Sequence, residues 1–87
     1  MSKMILAFED KEIVGLIINI AAIYKMKGML EHAEKCLDEA LRMSRQHSYN
    51  QHIVISLTHY GETWERQGLN YVAMASFKEA LQIKRHF

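Results

Sequence analysis

Apolar side chains recur along this chain at intervals of three and four residues, in blocks separated by short polar or glycine-marked breaks. Val54, Leu57, Tyr60, Gly61 and Trp64 fall on one face of a helix, and Ala73, Phe77, Ala80, Leu81 and Lys84 draw a second stripe beyond Gly68. Gly68 stands where a helix end needs a residue tolerant of positive φ, and Leu69 after it supplies the apolar contact of such a cap. Gly28 and Met29 repeat the device. The polar run from Ser44 to His52 marks the remaining turn, with Asn50 or Ser48 as the expected cap of the next helix and Asn70 as that of the last. The pattern predicts four helices, near 9–27, 30–47, 50–67 and 70–86, in an all-α fold.

One block breaks the amphipathic rule. From Ile13 to Tyr24 the only clearly polar side chain is Asn19, so the predicted first helix is apolar all round and needs cover on every side. At 12 residues the run is well short of the roughly 20 that span a bilayer. A protein core or an interface has to bury it.

Shifted by 40 residues, the chain matches itself: Ile13, Val14, Gly28, Ala33, Glu39, Ala40, Leu41 and Arg45 fall on Ile53, Val54, Gly68, Ala73, Glu79, Ala80, Leu81 and Arg85. In the same register Tyr24 meets Trp64, Ala21 meets Gly61 and Leu37 meets Phe77. A period of this length marks stacked architectures, in which one helical hairpin cannot bury its apolar face alone. The segmentation is an N-terminal stretch over 1–12, a first copy over 13–52 and a second over 53–87.

The order small residue, aromatic, glycine, alanine, large apolar residue and Ala-Leu pair resembles the tetratricopeptide repeat. Its bearers are Ala21, Tyr24, Gly28, Ala33, Leu37, Ala40 and Leu41, then Gly61, Trp64, Gly68, Ala73, Phe77, Ala80 and Leu81. The small residues let antiparallel helices approach while the large ones fill the space beside them. Two features depart from the family: the period is 40 rather than about 34, and Arg45 and Arg85 stand where it has a terminal proline. The longer period resembles that of members that organise signalling and motor-cargo complexes or sense peptides.

The resemblance implies two tandem antiparallel hairpins, an α-solenoid fragment with a concave face lined by the first helix of each hairpin. It places Ile18, Ala22, Lys25 and Met26, with Ile55, Thr58, Glu62, Glu65 and Arg66, in a partner-binding groove, apolar in its first half and charged in its second. The Lys, Asn and Arg set with which some members grip a C-terminal carboxylate is not reproduced. A mixed groove suits an amphipathic helix or a peptide carrying both apolar anchors and charges.

The repeat itself does not require so apolar a first helix. Leu16, Ile17, Ile18 and Ile23 replace Ser56, Leu57, Thr58 and Thr63 of the second copy, and Met4, Ile5, Leu6 and Phe8 add to the surplus upstream. Exposed, these side chains would form a larger patch than monomers tolerate, and two repeats fall short of the three or so usually needed for stability. The expectation is a homodimer, with Leu16, Ile17, Ile23, Met4, Ile5 and Phe8 burying against the same elements of a second chain in a two-fold contact.

Composition narrows the function. The 87 residues are 49% hydrophobic and 24% charged with no proline, which fits one small globular domain of long helices. A net charge of +1 provides no field for nucleic acid or an anionic membrane, so neither is expected as a partner. Cys36 is alone, so no intramolecular disulfide forms, and with no signal-peptide pattern at the N-terminus a cytoplasmic setting is expected. Of the five histidines only His52 and His59 approach a facing spacing, and neither has a Cys or carboxylate at ligand spacing. Glu31 with Lys35 and Asp38 with Arg42 read as i,i+4 pairs on a solvated face of the second helix.

No nucleophile, base and orienting group converge by spacing, so no catalytic residue, metal or cofactor is expected. The sequence points to a non-enzymatic adaptor or scaffold that binds a protein or peptide and self-associates. The alternative is a peptide-sensing regulatory domain, or a fragment of a larger regulator of that family.

Overall fold

A computed structural model describes residues 9–86. Its four helices are α1 (Asp10–Met26), α2 (Leu30–His47), α3 (Asn50–Arg66) and α4 (Asn70–Arg85). No strand occurs among the described residues, so the expected all-α class and helix count hold. Each helix packs antiparallel on its chain neighbour, and α1 also touches α3. The resulting slab measures 45 × 33 × 15 Å.

The two hairpins are in register. Each helix of the second starts 40 residues after its counterpart, at 50 against 10 and at 70 against 30. Gly28 and Gly68 both hold φ +80, and the amides of Met29 and Leu69 reach back to the carbonyls of Tyr24 and Trp64 at 2.9 and 3.0 Å. This six-residue closure needs a left-handed residue, which glycine supplies without steric cost. The turn between α2 and α3 is closed in the same way by Ser48, the one non-glycine at positive φ among the described residues.

Capping departs from expectation. Asn50 and Asn70 are the first helical residues rather than caps, and the cap positions belong to Tyr49 and Leu69, which make no side-chain cap bond. The glycine and serine closures set where each helix can begin, one residue before the polar side chain. Only α1 has a capping box, Glu9 with Glu12.

Small residues sit where helices cross. Ala21, Ala33, Ala40, Gly61, Ala73 and Ala80 are all buried. A Cβ on Gly61 would lie 2.6 Å from the ring of Phe77, so glycine there admits a phenylalanine where the first hairpin pairs Ala21 with Leu37. One apolar cluster joins Val14, Ile18 and Ala40 within the first hairpin, and a second joins Leu41 to Ile53, Leu57 and Ala80 across the hairpins. Burying a leucine as fully as Leu37 contributes about 1.5 to 3 kcal/mol.

The solvated face of α2 uses its charges differently from the i,i+4 expectation. Arg42 pairs with Glu39, and Asp38 instead accepts the hydroxyl of Tyr60 on α3. Arg45 reaches Glu79 on α4 at 2.9 Å, and Gln67 meets Glu34 at 3.3 Å. Asp38, Arg45 and Glu34 face the neighbouring hairpin and take partners there, while Arg42 keeps a local one.

Candidate groove and open helix faces

The contact of α1 with α3 brings part of the predicted groove together around one buried cation. Lys25 is 7% exposed, and its ammonium donates to Nδ1 of His59 at 2.9 Å and pairs with Glu62. Arg66 donates to the backbone carbonyl of Lys25 at 3.1 Å. A lysine head group shut away from water costs several kcal/mol unless a counter-charge and hydrogen bonds compensate it, and here Glu62 and His59 do so. Burial, and then the Lys25 charge, hold the His59 imidazole below its ordinary pKa, against the pull of Glu62. Neutral His59 accepts from Lys25, so the three side chains fix α1 against α3.

The remaining groove positions divide by exposure. Ile18 is buried against Val14 and Ala40, so its side chain serves the core and is not offered to a partner. Ala22 is half-buried, and Thr58 is half-buried with its hydroxyl spent on the Val54 carbonyl. Met26, Ile55, Glu65 and Arg66 are exposed. Ile55 also borders a shallow cavity with Gln51, Val54 and Lys84. Of the predicted groove, the side chains available to a partner are therefore Met26, Ile55, Glu65 and Arg66, with Arg66 touching the Lys25 backbone.

The positions expected to self-associate also divide. Leu16 and Ile23 are 52% and 55% exposed, whereas Ile17 is half-buried against the first-hairpin cluster. Ile20, 47% exposed, lies on the same stripe at helical spacing from Leu16 and Ile23, and belongs with them. Met4, Ile5 and Phe8 lie outside the described residues. A second apolar face, on α4, was not anticipated: Tyr71, Met74 and Leu81 are exposed there. The 40-residue comparison held the signal, because Met74 and Tyr71 stand where α2 has Glu34 and Glu31.

At the turn between α2 and α3 the Tyr49 ring stacks on His47 at 5.1 Å and lies tilted to His52 at 6.1 Å. No three His, Cys, Asp or Glu side chains converge at ligand distance among the described residues. Burial pushes the Cys36 thiol upward, away from thiolate chemistry at neutral pH. No described helix is long and apolar enough to cross a membrane.

No protein-family model, curated protein or solved structure matches the chain.

Proposed function

We propose that the chain is a non-enzymatic protein interaction module of the tetratricopeptide kind, an adaptor or scaffold that binds a protein or peptide segment on the face shared by α1 and α3 and self-associates through α1. The observation that carries this reading is the exposed set Met26, Ile55, Glu65 and Arg66, which offers apolar and charged side chains of both signs on the two helices that Lys25 ties together. An amphipathic segment with an apolar anchor and flanking charges matches that surface. The helices behind it are fixed to each other, so little ordering is left for binding to supply.

The test uses side chains that the fold can spare. Glu62 neutralises a buried lysine, so reversing it would disturb the groove and the fold together. Ile55→Asp with Glu65→Arg changes only exposed positions. Wild-type protein immobilised in extract of the source cell is expected to retain a partner that the double variant loses, with the partner's binding segment then confirmed as a synthetic peptide by calorimetry. Equal retention by the two forms would refute the groove assignment.

A further inference from the structure

We propose that copies of this chain associate head to tail, the exposed face of α4 in one copy seating on the exposed face of α1 in the next. The proposal rests on the reading that the chain self-associates, and it gives α1 a different mate from the second α1 expected from sequence.

The template is the chain's own joint between hairpins. There α2 meets α3 through Leu41 against Ile53 and Leu57, through Asp38 with the Tyr60 hydroxyl, and through Glu34 with Gln67. The hairpins repeat at 40 residues, so the same step carried once more puts α4 where α2 was and the next copy's α1 where α3 was. Leu41, 8% exposed, becomes Leu81, which is 50% exposed. The fully buried Ser56 and Thr63 become Leu16 and Ile23, both about half exposed. Each face is open where its counterpart inside the chain is closed.

The two faces have changed together. Opposite Leu81 the step places Ile13 and Ile17 of the next copy, in the roles of Ile53 and Leu57. The acid Asp38, which meets Tyr60, becomes Lys78, whose methylene stem meets Ile20. Glu34 opposite Gln67 becomes Met74 opposite Lys27, again an apolar body against a long stem. Both acids are replaced, so no unpaired acid is buried in the joint, and the charges left there, Lys78 and Lys27, sit on long stems that carry them to the rim. One ion pair is kept: Arg45 with Glu79 inside the chain becomes Arg85 of one copy with Glu39 of the next, identical residue types on both sides.

A heterologous contact of this kind leaves a free head and a free tail after each addition, so it grows beyond two copies. A two-fold contact of α1 on α1 stops at a dimer. Leu16→Asp blocks the head and Leu81→Asp the tail, and both sites are half exposed, so each variant keeps the helical spectrum of the wild type. In sedimentation velocity across a concentration series, the wild-type mass is expected to rise past the dimer. Each variant alone associates at least about tenfold more weakly, because a carboxylate enters the joint unpaired.

Mixing the two variants is expected to yield a dimer that grows no further, since one supplies an intact tail and the other an intact head. Arg85→Glu weakens assembly and adding Glu39→Arg to the same chain restores it. A dimer that survives Leu81→Asp overturns the head-to-tail joint while leaving self-association standing. A wild type that stays monomeric at all concentrations overturns both.

Discussion

Gly61 and Phe77 provide the sharpest test of how the second hairpin is packed. The Cβ of an alanine at 61 would stand 2.6, 2.7 and 2.9 Å from three ring carbons of Phe77, against an ordinary carbon contact of about 3.5 to 4 Å. The ring must move by roughly 1 Å, and overpacking of this size costs about 1 to 3 kcal/mol. Alanine is also the better helix former by about 1 kcal/mol, so Gly61→Ala alone is expected to lower stability by up to about 2 kcal/mol. The first hairpin shows the compensating pair, Ala21 with Leu37. Combining Gly61→Ala with Phe77→Leu removes the clash, while the helix-propensity gain appears in both backgrounds and cancels. Urea unfolding of the four proteins is expected to give a coupling of about 1 to 3 kcal/mol, favouring the double variant over the sum of the singles. Additivity within about 0.3 kcal/mol would refute the contact.

Three further outcomes follow from the groove and its turns. Glu62→Ala leaves the Lys25 ammonium with His59 as its one side-chain partner; Glu62 is nearly half exposed, so the expected loss is about 1 to 2 kcal/mol, and Lys25→Met in the same background should recover most of it in thermal melts. His59 is held below its ordinary pKa of 6.5, so the folded state binds the proton less readily than the unfolded chain. Its contribution is complete above about 6.5 and is lost as the pH falls through the lower folded value, a dependence that His59→Gln should remove from a stability-versus-pH curve. Ser48→Gly relieves a left-handed serine and should raise the urea midpoint, with a gain of about 1 kcal/mol; a fall would show that the turn depends on the serine side chain.

The helices were legible because their signals are local and repeated. Three-and-four spacing, the glycine followed by an apolar residue, and the absence of proline act within a few residues of each other, and the boundaries fall within a residue or so of expectation. The burial of Ala21, Ala33 and Ala40 was legible for the same reason, since a small residue repeated in register has a packing cause. Asn50 and Asn70 were misread as caps because glycine and serine closures, formed by backbone bonds, decide where the next helix starts. Asp38 and Arg42 have ideal helical spacing, yet Tyr60 takes the acid from across the interface.

What the sequence determined by itself is an all-α chain of two hairpins in a 40-residue register, because periodicity and turn chemistry are properties of neighbours along the chain. Tertiary structure decided which apolar and charged side chains remain available. It drew Ile18 into the core and Lys25 into a pairing with His59 and Glu62, and it left Leu16, Ile20 and Ile23 open on α1 and Met74 and Leu81 open on α4. Exposure depends on which helix lies alongside, α2 of the same hairpin for Ile18 and α3 of the other hairpin for Lys25, and neither is a near neighbour along the chain.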